Sequence, residues 1–318
     1  MAKRDGARGG RHQRLADWLG PLVALVVMAG AFAIASPHFL TRNNLSSVAV
    51  QASAIAILAV AETLVIIAGG IDLGVGSVLA LAGVAAAIAM SGGLAIPLAC
   101  LAGLGCGLAC GLTSGLLSTY GRMPSFIATL GVMGIARGTS LIVSGGENIF
   151  GLPGGFTELA LVSWAGLPLP ALVALAVAGL GHLLLTRTAF GRSVYAIGGN
   201  AEAARLSGIP VKRVVTIIFV ISGLLAALSG LVLTSRLSIG QPTAGAGYEL
   251  DAIAAAVIGG ASLMGGQGTI PGALIGATIM GVLRNGCDLL HVPPFWQQVA
   301  IGVIIISAVF IDQFRRRR

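Results

Sequence analysis

Residues 73–121 read LGVGSVLALAGVAAAIAMSGGLAIPLACLAGLGCGLACGLTSGLLSTYG, with no Asp, Glu, Lys or Arg among them. A helix crosses the hydrocarbon of a bilayer in about 20 apolar residues, so this stretch holds two spans. Ser91-Gly92-Gly93, with Pro97 just beyond, is where the chain turns between them. Working outward, residues 19–41, 43–61, 159–186, 214–235, 252–283 and 289–311 are also free of these four residue types. The 252–283 run is again too long for one helix, and Gly265-Gly266-Gln267-Gly268 divides it. A further apolar stretch, Ser125 to Val143, is broken only by Arg137.

Composition agrees. Only 9 % of the 318 residues are charged and mean hydropathy is +0.96, where a soluble domain carries about 25 % charge. Such a chain can neither cover a soluble surface nor stay disordered. Four cysteines make no disulfide scaffold. No period-two alternation marks barrel strands. The expected fold is an all-α membrane protein: a glycine-rich bundle with broken helices. Its ten transmembrane helices fall near 19–36, 48–68, 74–90, 94–117, 125–143, 169–186, 213–234, 250–263, 270–284 and 295–312. Residues 19–312 form one domain, with basic tails at 1–18 and 313–318.

Orientation follows the basic residues. Lys3, Arg4, Arg8, Arg11 and Arg14 precede the first span, and Arg122 lies between the fourth and fifth. Arg187, Arg192, Arg205, Lys212 and Arg213 lie between the sixth and seventh, and Arg315 to Arg318 end the chain. Ten spans put all of these on one side, with Arg42, Arg236 and Arg284 opposite, so both termini are expected in the cytoplasm. The basic tail before an apolar block also has the form of a secretory signal, with Ala31-Phe32-Ala33 as its small-residue site; it is read as an uncleaved first helix. The net charge of +8 anchors helix ends and requires no nucleic acid.

Gly103, Gly107, Gly111 and Gly115 recur every fourth residue, as do Gly268, Gly272 and Gly276, with Gly281 one residue late. Such strips let helix backbones approach closely in lipid. Cys106 and Cys110 lie in the first strip without a third metal ligand and read as small packing residues. Two turns, Gly69 to Gly76 and Gly259 to Gly266, share the pattern G-G-x-x-L-x-x-G. Glycine-broken helices at corresponding places in two halves mark transporter sites or gates.

A few charges fall inside these spans, where an unpaired charge costs a few kcal/mol and faces protein or water. Glu62 and Arg137 either line a polar path for a hydroxyl-rich solute or pair with each other. Asp72 is a path residue or a turn carboxylate. Glu249 and Asp251 open the eighth helix, and Asn285 is a path candidate or caps the ninth. Chemistry is otherwise sparse. No G-x-x-x-x-G-K-[ST] loop exists, and Lys3 and Lys212 are the sole lysines. The four histidines form no H-E-x-x-H or Cys/His zinc spacing. No enzymatic activity, metal or cofactor is expected in this chain.

The one sizeable basic connection, 187–213, contains a helix of about two turns. Asn200 is its N-cap, Glu202 sits in its first turn, and Gly208 and Pro210 stop it. A helix that short must pack on something. Glu202-Ala203-Ala204-x-x-x-Gly208 resembles the E-A-A-x-x-x-G core of the cytoplasmic loop in bacterial ABC importer permeases. Three longer stretches, GGIDLGVGS (69–77), AIGGNAEAARLSGI (196–209) and AAVIGGASLMGGQGTIPGA (255–273), resemble the ribose/xylose/galactoside branch. The likeness runs from about Leu40 to Ile311. It implies a permease subunit in the bacterial inner membrane, paired with a second copy and fed a monosaccharide by a periplasmic sugar-binding protein. A separate cytoplasmic ATPase, which binds ATP and Mg, drives it. Gly199, Asn200, Glu202, Ala203, Ala204 and Gly208 would dock that ATPase, and Glu62, Asp72, Arg137, Asp251 and Asn285 remain candidates for the path or gate. The alternatives are an ABC permease for a nucleoside, a branched-chain amino acid or a signalling furanose, and a proton-coupled carrier working alone.

Overall fold

The computed structural model describes residues 6–316, apart from the side chains of 6–18, 305, 308, 309 and 311–316. Lys3, Arg4, Arg317 and Arg318 of the two basic tails lie outside the described residues. In chain order the helices are α1 (Gly6–Ala35), α2 (Arg42–Ile67), α3 (Val75–Ser91), α4 (Ile96–Thr119) and α5 (Ser125–Ser144). They continue with a single turn α6 (Gly154–Thr157), α7 (Leu169–Arg187), α8 (Ala189–Gly199), α9 (Ala201–Leu206), α10 (Val211–Leu237), α11 (Tyr248–Ile258), α12 (Ile270–Leu289) and α13 (Pro294–Arg316). A two-residue hairpin, β1 (Ser163–Trp164) and β2 (Leu167–Pro168), pairs antiparallel before α7. Each of the ten expected spans is a helix. Among the described residues, α2, α4, α5, α7 and α10 are long and apolar enough to cross a membrane, with mean hydropathy from 1.7 to 2.5.

Helix α2 is the central post. It is apolar all round, as a helix buried on every side must be, and its residues from Ala52 to Ile67 are buried. α7, α10, α11 and α12 surround it. Ile55, Ile57, Ala255, Ala277 and Met280 pack in one cluster along it; Leu64, Ile67, Val194, Ile197, Ile218 and Phe219 close a second at its C-terminal end. Lipid tails are as apolar as leucine, so in a bilayer these helices are held by close packing rather than by exclusion from water. The glycine strip of α4 does this against α10. A Cβ at Gly107 would overlap Gly223 O, one at Gly223 would overlap Gly107 O, and one at Gly111 would overlap Phe219 O. The α12 strip behaves alike, Gly272 facing Gly259 and Gly276 facing Ala255 of α11, with Gly281 against Ala52 of α2. Ile34, Leu101, Ile135, Leu180 and Ile306 point outward, as lipid-facing residues do.

Several boundaries differ from the sequence reading, and α1 already begins at Gly6 rather than 19. α2 begins at Arg42 rather than 48, because Thr41 caps it by accepting from Asn44 N at 3.4 Å. α11 stops at Ile258, where Gly259 and a left-handed Gly260 (φ +90°) end it. α12 runs on to Leu289, so Arg284 and Asn285 lie inside a helix rather than at its end. The 187–213 connection holds a whole extra amphipathic helix, α8, whose Gly191 and Gly198 are points of close approach rather than breaks.

Of the ten helices at the expected spans, two are shorter than the rest. α3 has 17 residues and α11 has 11. Both start inside the bundle, where Gly76 and Gly245 are in backbone contact.

Candidate functional site

The 187–213 segment folds as a pair of short helices, α8 and α9. Thr188 Oγ1 caps α8 by accepting from Gly191 N at 3.0 Å. Asn200, extended at φ −162°, caps α9 with Oδ1 accepting from Ala203 N at 2.9 Å. Gly208 takes the left-handed conformation (φ +85°) that closes α9, and Ile209 N bonds back to Ala204 O at 3.1 Å. Glu202 accepts two hydrogen bonds from Arg205, at 2.6 and 2.9 Å, both side chains being mostly exposed. Those bonds hold the Glu202 carboxyl below its usual range and raise the Arg205 guanidinium.

Gly199, Asn200, Glu202, Ala203 and Gly208 face outward together with Leu206, which the sequence did not single out. Ala204 does not join them. It is 4 % exposed and packs inward beside Val194 and Ile218, because it lies on the face of α9 that meets the bundle.

Helix α8 sits on two glycine turns that are themselves hydrogen-bonded to each other, held there by one tyrosine hydroxyl and by close backbone contact. Gly266 N donates to Ile67 O at 2.8 Å, and Tyr195 OH donates to Gly268 O at 2.8 Å. A Cβ on Gly198 would strike Ile67 O and sit 2.5 Å from Gly266 N; one on Gly265 would sit 2.7 Å from Gly198 O and 3.1 Å from Gly69 Cα. The two G-G-x-x-L-x-x-G turns therefore meet, and α8 lies across their junction.

Beyond that junction residues 70–74 run back into the bundle. Ile71 N donates to Ser125 Oγ at 3.2 Å and Leu73 N to Thr129 Oγ1 at 3.1 Å, holding the segment along the start of α5. Asp72 closes the turn by accepting from Gly74 N at 2.9 Å, as a turn carboxylate does, and also accepts from Ser222 Oγ of α10 at 2.7 Å. Glu62 is fully buried with both carboxyl oxygens unpartnered. A cavity of about 200 Å³ opens beside Gly69 and Gly70, lined also by Ser118, Ser125, Met123 and Phe219.

The remaining candidates are rearranged relative to the sequence reading. Glu62 and Arg137 do not pair, because α5 packs chiefly on α3 and α4 rather than on α2. Arg137 Nη2 instead stands 3.9 Å from Glu249 Oε1. Asp251, 1 % exposed, is hydrogen-bonded to Arg284, whose guanidinium lies 5.5 Å over the Tyr248 ring. Arg284 is thus an interior partner and not an anchor on the far face. Asn285 does not cap a helix end: its amide and that of Asn44 exchange two hydrogen bonds of 2.9 Å, tying α12 to α2. Cys106 and Cys110 pack against α3 and α10 residues. Among the described residues no three His, Cys, Asp or Glu side chains gather as a metal site. Carrying the ninth span past residue 284 would have placed Arg284 opposite Asp251; nothing in the sequence marks Gly198 or Gly76 as contacts.

Residues 44–309 match the family described as branched-chain amino acid transport system / permease component. The ribose import permease protein of Bacillus subtilis (strain 168) is 45 % identical over 297 residues, 93 % of this chain and 92 % of that protein. The ribose import permease protein of Escherichia coli (strain K12) is 44 % identical over 313 residues, 95 % of this chain and 97 % of its own. The D-allose transport system permease protein of the same strain is 39 % identical, with 93 % and 92 % covered. No solved structure matches the chain. A match along nearly the full length, on a glycine-packed bundle of apolar helices, means that the chain belongs to the branched-chain amino acid transport system permease family and has sugar import permeases among its relatives.

Proposed function

We propose that this chain is the membrane subunit of an ATP-driven importer of a monosaccharide in a bacterial plasma membrane. The observation that carries the reading is the seating of α8 and α9 on the backbone of Ile67, Gly266 and Gly268. A push on α9 from the cytoplasm reaches the ends of α2, α11 and α12 through the Tyr195 hydrogen bond and the glycine contacts of α8. Because interfaces packed this closely are bistable rather than elastic, tilting the pair reorients whole helices.

On this reading ten helices make up the transmembrane bundle (α1 to α5, α7 and α10 to α13), α3 and α11 crossing it together with the irregular segments that precede them, and both termini lie in the cytoplasm. A second copy completes the path. A cytoplasmic ATPase holding ATP and Mg docks on the outward residues of α8 and α9, and a periplasmic binding protein delivers the sugar. This chain does no covalent chemistry. The ribose and allose systems among its relatives favour a sugar over an amino acid, despite the family description. Glu62 and Asp72 are reserved for the gate beside the glycine turns, and Arg137 for the path.

The test is reconstitution. Proteoliposomes holding the chain with its ATPase and binding protein should accumulate D-ribose, D-allose or L-arabinose only when ATP is supplied on the ATPase side. Uptake by this chain alone under a proton gradient would instead establish a self-sufficient carrier.

A further inference from the structure

Arg137 presents a problem of solvation. It lies past the middle of α5, and its side chain is 40 % exposed. A guanidinium deep in a span does not face lipid. The neighbouring Gly134 and Gly138 have open space beside them, so nothing on its own helix closes over the charge. Glu249, its partner, is placed with care. Its carboxylate fills the space that a Cβ on Gly76 would take, against the first turn of α3, where free N–H groups favour an anion.

The pair is nevertheless incomplete. Charge-assisted hydrogen bonds run at about 2.7–2.9 Å, whereas Arg137 Nη2 and Glu249 Oε1 stand 3.9 Å apart. Glu249 Oε2 is buried with no partner, and Arg137 makes no hydrogen bond among the described residues. The neighbouring Arg284–Asp251 pair is closed by a direct hydrogen bond and lies beside the Tyr248 ring, although Asp251 Oδ1 and Arg284 Nε are buried without partners; the Arg137–Glu249 pair has no such bond.

From this geometry we infer that Arg137 and Glu249 form a hydroxyl-binding site for a neutral polyol on the path through the bundle, the guanidinium donating to sugar oxygens and the carboxylate accepting from sugar hydroxyls. One hydroxyl can bridge the gap by accepting from Nη2 and donating to Oε1. The two charges cancel, so the site suits an uncharged solute better than an ion. This inference rests on the importer reading and adds Glu249 and Gly76 to it, Gly76 as the residue that positions the carboxylate.

The experiment compares D-ribose with 2-deoxy-D-ribose in proteoliposomes of the complete transporter, using wild type, Glu249→Gln, Arg137→Lys and Gly76→Ala. The binding protein's own preference is common to all four and cancels in the comparison. Ribose uptake should fall about ten- to a hundredfold in Glu249→Gln and Arg137→Lys, the loss expected for a charged hydrogen bond. The ratio of ribose to deoxyribose uptake should narrow in at least one variant. Gly76→Ala should act in the same direction as Glu249→Gln. Wild-type uptake in Glu249→Gln, or equal loss for both sugars in every variant, would overturn the site while leaving the importer intact. Failure of the wild type to take up D-ribose, D-allose or L-arabinose with ATP would overturn the importer reading beneath it.

Discussion

Gly198 carries more of the proposed coupling than any charged residue near it. Its missing side chain lets Ile67 O and Gly266 N approach the backbone of α8, and an alanine there must part the two hydrogen-bonded turns or lift α8 from them. Gly198→Ala should therefore lower sugar moved per ATP hydrolysed at least several-fold while the protein still inserts, measured as the ratio of uptake to phosphate release. Glu202 acts differently, at the exposed tip. Its carboxyl is held below the usual range by hydrogen bonds from Arg205, so the pair's contribution is complete above about pH 4.3, the ordinary glutamate value, and fades only as pH falls through the depressed one. Glu202→Ala should uncouple transport, and the ratio of wild-type to Glu202→Ala uptake should stay flat from pH 5 to 8. A ratio changing steeply across that window would mean that a different titrating group governs docking.

At the scale of elements, the α4–α10 seam tests how the bundle is held. Gly107 and Gly223 present backbone to backbone, so Gly107→Leu overpacks the seam at a cost of about 1–3 kcal/mol, readable as a lower unfolding temperature in detergent. Leu101→Ala, on the outward side of the same helix, should change it little. The elements themselves were legible because lipid leaves a chain no choice: every uncharged run of sufficient length had to be a helix, and each of the ten is. What stayed hidden has two causes. α8 escaped because Gly191, Gly198 and Gly199 signal breaks in one dimension and contacts in three. The pairings of Arg137, Arg284 and Asn285 escaped because α5 packs on α3 rather than α2, and because α12 continues one turn past the point where its charges suggest an end. The capped α9, by contrast, was readable apart from the inward-facing Ala204, since Asn200, Glu202 and Gly208 lie within nine consecutive residues of the chain.

At the scale of the molecule the two ends of the bundle have different characters, which fixes the last prediction. One end gathers the C-terminal ends of α2, α7 and α11, the start of α10 and α12, and the turn between α4 and α5. There the junction of glycine turns, the cavity beside Ser118 and Ser125, and the α8–α9 pair lie together. The other end is closed by the 145–168 connection, where Ile149 pairs with Gly240, Ser91 Oγ donates to Phe150 O and Ser235 Oγ donates to Phe156 O. The first end carries Arg122, Arg187, Arg192, Arg205, Lys212 and Arg213, while the 145–168 connection carries Glu147 and Glu158 and no Lys or Arg. The positive-inside bias predicts that the α8–α9 end lies in the cytoplasm. A membrane-impermeant maleimide should label Trp164→Cys in intact spheroplasts and spare Ser207→Cys until the membrane is opened, in a background with Cys100, Cys106, Cys110 and Cys287 replaced. The reverse labelling pattern would invert the bundle and place α9 beyond the reach of any cytoplasmic ATPase.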